Sequence, residues 1–311
     1  MKKIFIDGSA GTTGLRIYDR LSDRKDLELI ILDDDKRKDN KYRKEALNSC
    51  DIAFLCLPDD AAREAITLID NPNTAIIDTS TAHRTNEGWV YGFPEIGNFR
   101  EKIANSKRVA NPGCHASGFV ALVQPLVNAG LIKSNAKLTA FSLTGYSGGG
   151  KKMIADYESA ERDPILNGPR QYALTQQHKH LKEIVSICNL DIAPVFCPIV
   201  GDFYSGMEVT VPLFADDVKG NIDDIKNLYK SLYNTSIIHY DEEEEGGFMS
   251  TTYLEGCDDM QISVKGNDDR ILLISRFDNL GKGASGSAIQ NMNILMGIDE
   301  TTGLKLSKEI K

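Results

Sequence analysis

The segment Ile4-Phe5-Ile6-Asp7-Gly8-Ser9-Ala10-Gly11-Thr12-Thr13-Gly14 constrains the fold of this chain more than any other. A β-branched and aromatic run ends in glycines spaced three apart. Leu15, Ile17, Tyr18 and Leu21 then recur at helical spacing. The predicted order is strand, glycine turn, helix. Backbone N–H groups at a helix N-terminus bind phosphate, and glycines let a pyrophosphate approach the chain closely. Gly8, Ser9, Gly11, Thr12, Thr13 and Gly14 are therefore candidate dinucleotide contacts. The spacing is Gly-x-x-Gly-x-x-Gly rather than Gly-x-Gly-x-x-Gly, so the reading rests on where the glycines sit. The competing reading is a tight strand-to-helix turn without a ligand.

The next segments repeat the alternation. Leu27–Leu32, Ile52–Leu57 and Ala75–Asp78 read as buried strands, and Asp59–Ile66 reads as an N-capped helix. Strands alternating with helices over about 110 residues predict a parallel sheet covered on both faces. After Asn111-Pro112-Gly113 the texture changes. A helix carries Phe119, Leu122, Val123 and Leu126 on one face, with Pro125 as a kink. Lys137–Leu143, Met207–Leu213 and Ile271–Arg276 alternate with period two, as in a mixed or antiparallel sheet. Ala284–Met296 reads as a closing helix, and Asp241–Gly247 as a solvated acidic turn.

Composition removes several classes of function. A chain of 311 residues with net charge −9 has no basic surface for sequence-independent binding of nucleic acid or an anionic membrane. No apolar run reaches the length of a membrane span, and Asp7 falls too early for a signal-peptide core. The six cysteines contain no Cys-x-x-Cys pair. The expectation is a cytoplasmic protein with reduced thiols, acting on a small molecule.

Four further clusters carry chemistry. In Asn111-Pro112-Gly113-Cys114-His115 the turn places Cys114 at the first helical position. The positive end of the helix dipole favours thiolate there, and thiolate is the form that attacks a carbonyl. The ordinary reading of a cysteine, a small buried apolar group, suits the other five. His115, though adjacent, is expected to point elsewhere. His178-Lys179-His180 is read as extended, so that both rings face one pocket near Glu183. Surface histidines or a metal site are the alternatives. Thr144–Lys152, with Ser147 and Gly148, is either an anion cradle or a flexible loop. Asp78–Arg84, with Ser80 and Arg84, is either an oxyanion site or an ordinary loop. At the end of the second strand, Asp33 suits a ribose hydroxyl and NAD, whereas Lys36, Arg37 or Arg43 suits a 2′-phosphate and NADP.

These pieces, together with Leu55–Asp59, Val90–Glu95 and Asp278–Ala284, occur in the order found in N-acetyl-γ-glutamyl-phosphate reductases. The chain resembles the shorter form of that family, within the aspartate-semialdehyde dehydrogenase superfamily. The resemblance implies an α/β protein with a Rossmann-type dinucleotide-binding domain (1–113 with 283–311). It implies an inserted α+β catalytic and oligomerisation domain with a mixed sheet (114–282). It also implies NADP as cofactor, an acyl phosphate substrate, and a homodimer or homotetramer. Cys114 would be the nucleophile and His180 the proton-transfer group. Arg84, Ser147, Gly148, Tyr172, His178 and Glu183 would contact or orient the substrate. Leu57, Pro58, Ser80, Asn279 and Lys282 would join the glycine turn around the cofactor. The family's longer form carries proline where this chain has Lys182.

Two rivals share parts of this pattern. Aspartate-semialdehyde dehydrogenase runs the same chemistry on a shorter substrate; the His-x-His pair and the Tyr146–Lys151 loop argue against it. A non-catalytic redox sensor would use Cys114 as a sensing thiol, but leaves the histidines, Arg84 and Ser147 without a common purpose.

Overall fold

The computed structural model describes residues 1–307. In chain order the elements begin with β1 (Lys2–Asp7), α1 (Thr12–Leu21), β2 (Leu27–Ile30), α2 (Asn40–Ser49), β3 (Ile52–Leu55) and α3 (Asp59–Thr67). They continue with β4 (Ala75–Asp78), β5 (Val90–Tyr91), α4 (Phe99–Ala104) and β6 (Arg108–Ala110). Then come α5 (Cys114–Asn128), β7 (Thr139–Gly145), α6 (Gly150–Glu158), β8 (Arg170–Gln171), α7 (Lys179–Cys188) and β9 (Val195–Gly201). The chain closes with β10 (Met207–Phe214), α8 (Ile222–Leu232), β11 (Ile238–Tyr240), β12 (Met260–Gly266), β13 (Arg270–Phe277) and α9 (Gly286–Met296). No described helix is long and apolar enough to cross a membrane.

These elements form two compact units, Met1–Pro112 with Ala284–Leu304, and Gly113–Gly283 with Lys305–Ser307. The expected first domain ran to residue 311. Lys305–Ser307 instead belong to the second unit, because the Lys305 N–H bonds the Asp258 carboxylate and the Ser307 hydroxyl bonds that of Asp259. Residues 308–311, which the same expectation included, lie outside the described residues.

The first unit is built on a six-stranded sheet of order β2-β1-β3-β4-β6-β5, every pairing parallel. Its strands are apolar runs because both faces are covered: Ile52–Leu55 and Ala75–Asp78 are buried throughout. The chain leaves β1 in opposite directions for β2 and β3, which creates a switch point at their carboxyl ends. Helix α3 begins after Pro58 without a side-chain cap; Asp59, the expected cap, accepts hydrogen bonds from the Thr81 N–H and hydroxyl.

The second unit is built on a seven-stranded mixed sheet of order β11-β12-β13-β10-β7-β9-β8, parallel at β11–β12 and β7–β9 and antiparallel elsewhere. Helix α5 packs on it so closely that a Cβ at Gly118 would collide with Val209 and Ser275. The expected single apolar face is an understatement, since α5 is buried on nearly every side. Pro125 has no N–H, so the Ala121 carbonyl loses its usual helical donor. The Tyr233 hydroxyl donates to that carbonyl at 2.6 Å, and the Tyr229 hydroxyl to the neighbouring Leu122 carbonyl. The acidic segment is mostly exposed, as expected, but Glu245 is drawn toward the second sheet. Arg276, buried on β13, draws the Glu245 carboxylate to 2.8 Å and stacks on Tyr253.

Candidate active site

The first unit carries a cavity of about 460 Å³ at its switch point, lined by Asp7–Gly11, Leu32, Arg37, Lys38, Arg43, Cys56–Pro58 and Ala61. Two glycines make it possible. Gly8 has φ +88°, and a Cβ there would strike the Cys56 carbonyl oxygen. A Cβ at Gly14 would strike the Gly8 carbonyl as α1 starts. The Gly11 N–H closes the turn onto Gly8 O at 2.9 Å. Of the expected cofactor contacts, Gly8, Ser9, Gly11, Leu57 and Pro58 line this cavity. Thr12, Thr13 and Gly14 form the start of α1 beside it without lining it.

The rim at the end of β2 is basic. Asp33 is exposed and engaged with Lys36 at 2.6 Å, which holds its carboxyl below the usual range. Arg43 is buried, donating to Asp7 at 2.9 Å and to Glu64 at 3.1 Å. Burial raises the Asp7 carboxyl above its ordinary value, and the Arg43 hydrogen bond opposes that rise. Arg37 Nε is buried, with no hydrogen-bond partner among the described residues. The glycine cradle fits the pyrophosphate of a dinucleotide, with this guanidinium nitrogen on the cavity's rim.

Ser80 lies outside the cavity. Its hydroxyl donates to Asp78, whose carboxylate also lies 2.6 Å from His83 Nδ1, and His83 stacks on Trp89. Arg84 donates to the carbonyls of Asn111 and Thr79 at 2.9 and 3.1 Å, and so shapes the approach to the Asn111-Pro112 turn.

In the second unit Cys114 is the first residue of α5, after an extended Gly113. The Gly113 N–H donates to the buried Glu183 carboxylate at 2.9 Å, which ties the cysteine turn to α7. Burial pushes the Cys50 and Cys56 thiols up to about 12 and moves that of Cys188 upward too, which disfavours the thiolate form at these three.

The histidine pair is not on a strand. His178 is the N-cap of α7: its Nδ1 accepts from the His180 N–H at 3.3 Å. His180 is buried in the first turn, and the two ring centroids are 4.8 Å apart. Lys182 sits within the helix without breaking it. The segment leading to His178 is held by Ala173 and Gln176 at positive φ, with the Gln176 side chain bonding both the N–H and the carbonyl of Phe196.

His115 does not point elsewhere. Its ring centroid lies 5.4 Å from that of His180 and 5.8 Å from that of His178. Its Nδ1 is 2.6 Å from Ser142 Oγ and its Nε2 is 2.6 Å from Tyr172 Oη. Burial, then the charges of His178 and Lys179, pushes His115 down to about 3. Burial and the Cys114 charge raise the Tyr172 phenol, which keeps its proton. His115 and Ser142 are the residues that sequence reasoning missed; period-two alternation in β7 was the one signal that Ser142 faces the core.

The Ser147 segment is neither a loose loop nor an open cradle. It is a single 3-10 turn, Tyr146–Gly149, running into α6. Asn279 donates to Ser147 Oγ at 3.0 Å and accepts from the Gly206 N–H at 2.9 Å, so its amide is used within this unit. A Cβ at Gly148 would only reach ordinary van der Waals contact with Asn279 and Thr144, so no close approach demands glycine there. Asp278 fixes the following turn by accepting from the Leu280 and Gly281 N–H groups. Lys282 is fully buried in that turn, and Gly283 packs against Cys114 Cβ.

A half-buried thiol at a helix start in one unit, with histidines on the neighbouring helix turn, and a glycine cradle at the end of a parallel sheet in the other are the parts that a cysteine-dependent dehydrogenase needs. Family models agree. Residues 3–106 match the semialdehyde dehydrogenase NAD-binding domain, and residues 114–279 the semialdehyde dehydrogenase dimerisation domain. The fold resembles aspartate semialdehyde dehydrogenase II of Vibrio cholerae, with TM-score 0.71 at 14% identity over 96% of this chain and 98% of that one. It also resembles the Candida albicans aspartate semialdehyde dehydrogenase determined with NADP, with TM-score 0.69 at 14% identity over 95% and 98%.

Sequence relatives narrow the class. N-acetyl-gamma-glutamyl-phosphate reductase 2 of Nostoc sp. is 44% identical over 97% of this chain and 99% of its own length. The N-acetyl-gamma-glutamyl-phosphate reductase of Chelativorans sp. is 44% identical over 94% and 98%. The chain belongs to the N-acetyl-γ-glutamyl-phosphate reductase family.

Proposed function

We propose that this chain catalyses the NADPH-dependent reductive dephosphorylation of N-acetyl-γ-glutamyl phosphate to N-acetyl-glutamate semialdehyde, a step of arginine biosynthesis. The observation that carries the reading is Cys114 at the start of α5, anchored through Gly113 to Glu183 beside the His178–His180 turn. The Cys114 sulfur attacks the acyl carbon, a C–S bond forms, the C–O bond to phosphate breaks, and inorganic phosphate leaves. Bound NADPH supplies the hydride that reduces the resulting thioester. The hemithioacetal on Cys114 then releases aldehyde and regenerates the sulfur. His180 moves the proton in that collapse. His178, whose Nδ1 is committed to capping α7, holds the substrate through its other face, with Tyr172, Ser147 and Gly148. Glu183 acts through the cysteine turn.

Preference for NADP over NAD is supported by the basic rim of Arg37, Lys38 and Arg43 and by the diversion of Asp33 to Lys36. A homodimer is supported by the matched dimerisation domain and by one sheet face that exposes Phe141, Val195, Phe214 and Leu272.

The test is oxidation of N-acetyl-glutamate semialdehyde by NADP, which requires added phosphate if the reading holds. Turnover without phosphate, or faster turnover of aspartate semialdehyde, overturns it.

A further inference from the structure

Ser142 lies at the centre of β7, fully buried on the side that faces α5. Its hydroxyl carries one proton, and among the described residues its one partner is His115 Nδ1, at 2.6 Å. Tyr172 Oη likewise has His115 Nε2 as its one partner there, also at 2.6 Å. His115 joins these two hydroxyls, with Phe196 packed edge-on against its ring at 5.4 Å.

A neutral imidazole offers one donor and one acceptor, so the chain of bonds has a direction. If Nδ1 carried the proton, Ser142 would accept, and its own proton would be buried without an acceptor. That arrangement is costly. If Nε2 carries the proton, the Ser142 hydroxyl donates to Nδ1, and Nε2–H donates to the Tyr172 oxygen. Every buried group is then satisfied, and the Tyr172 proton is left to point outward. The protonated ring, which would donate to both hydroxyls, is disfavoured by the same burial that pushes His115 down to about 3. Tyr172 bonds the ring of the residue that follows Cys114 at the start of α5 and packs edge-on to His178 at 5.9 Å, which places the phenol in the same cluster as the cysteine turn.

We propose that Ser142 and His115 are positioning residues that fix the Tyr172 hydroxyl as a hydrogen-bond donor to an oxygen of the substrate held at Cys114. The inference rests on the reading of Cys114 as the nucleophile. It adds a direction to the contact. With the opposite tautomer, Tyr172 would spend its proton on His115 and present only an acceptor, which repels a carbonyl or carboxylate oxygen.

Two measurements test it. The first needs no substrate. With ¹⁵N-labelled histidine there are five imidazoles to resolve, assigned by single substitutions. At pH 7, His115 is expected to show a protonated Nε2 and a bare Nδ1; a protonated Nδ1 overturns the proposal. The second is a kinetic cycle. Tyr172→Phe is expected to lower kcat/KM roughly tenfold or more, the scale of one lost hydrogen bond. His115→Phe combined with Ser142→Ala keeps the pocket filled and apolar, and is expected to lower kcat/KM comparably without changing the Kd for NADPH. Adding Tyr172→Phe to that pair is expected to cost nothing more. A full additional loss, or an unchanged kcat/KM in the paired variant, overturns the proposal. Should the paired variant fail to fold, the tautomer alone decides. Absence of phosphate-dependent turnover in the wild type counts against the proposed reaction and leaves the tautomer result standing.

Discussion

The two units build their sites from different materials. The nucleotide cradle of the first unit is mostly backbone: Gly8 at positive φ, Gly14 against the Gly8 carbonyl, and a rim whose charges are largely engaged with one another, Arg43 with Asp7 and Asp33 with Lys36. The cluster proposed to act in the second unit is mostly side chain: Cys114, His115, Ser142, Tyr172, His178, His180 and Glu183, drawn from α5, β7, α7 and the segment before it. A backbone site tolerates loss of side chains and fails when a Cβ is added. A side-chain site behaves in the opposite way. The contrast teaches that loss of turnover and loss of cofactor binding should separate cleanly between the two sets of substitutions.

The largest effect expected is at Cys114. Cys114→Ser should abolish turnover, by about 10⁴-fold or more, because a hydroxyl lacks the low pKa and nucleophilicity of a thiol. The Kd for NADPH, followed by nicotinamide fluorescence, should stay within about twofold. Ordinary turnover by this variant sinks the nucleophile assignment, and a large loss of NADPH affinity breaks the contrast between units. The histidines sharpen it next. His180→Asn should lower kcat by about 10²- to 10⁴-fold, the usual scale of general acid–base help, with little change in NADPH binding. His178→Asn keeps a cap acceptor for α7 and should act mainly on KM. If the two patterns are exchanged, the proton-transfer role moves to His178.

The contrast also explains what could be read from the sequence. The glycine turn was legible because its parts are consecutive: Gly8, Gly11 and Gly14 sit in one loop, and a strand and a helix flank them. The parallel sheet was legible from continuous apolar runs, and Cys114 from the Pro-Gly turn before it. The catalytic cluster was legible only as separate pieces. His178 and His180 were read with a strand's period when His178 in fact caps a helix, an arrangement its own side chain sets up. The orientation of His115 depends on Ser142 and Tyr172, which are 27 and 57 residues away. The engagement of Arg43 with Asp7 spans 36 residues. Partners that far apart in sequence are chosen by tertiary packing, which no local pattern encodes. Gln261 and Glu245 around Arg276 are hidden for the same reason.

Arg43 is where the backbone site depends on a side chain, so it limits the contrast. Arg43→Met should destabilise the protein by about 3–5 kcal/mol, since it leaves the Asp7 carboxylate buried without its cation. Burial already raises Asp7 above its ordinary value, so the variant should lose stability most steeply above the normal carboxylate range, where the unpaired group must ionise or bind a proton. Urea unfolding at pH 5 and pH 8 reads this. Adding Asp7→Asn should recover part of the loss. The same variant should narrow the preference for NADP over NAD.

The smallest effect is in the pH dependence of stability, and it separates the side-chain cluster from the rest of the molecule. His115 titrates near 6.5 when unfolded and is pushed down to about 3 in the fold by burial and by the positive neighbours His178 and Lys179. Its folded-state value is depressed, so the folded ring stays neutral while the unfolded ring takes up a proton. The resulting stability is fully present above about pH 6.5 and is lost progressively as pH falls toward 3. At pH 5 the loss from this one group is about 2 kcal/mol. Carboxylates contribute their own losses in the same range, so the readout is a difference between proteins. Between pH 7 and pH 5, the wild type should lose about 2 kcal/mol more in urea unfolding than the variant carrying His115→Phe and Ser142→Ala. Equal losses would mean that His115 protonates in place, and would break the neutral Ser142–His115–Tyr172 chain on which the donor role of Tyr172 depends.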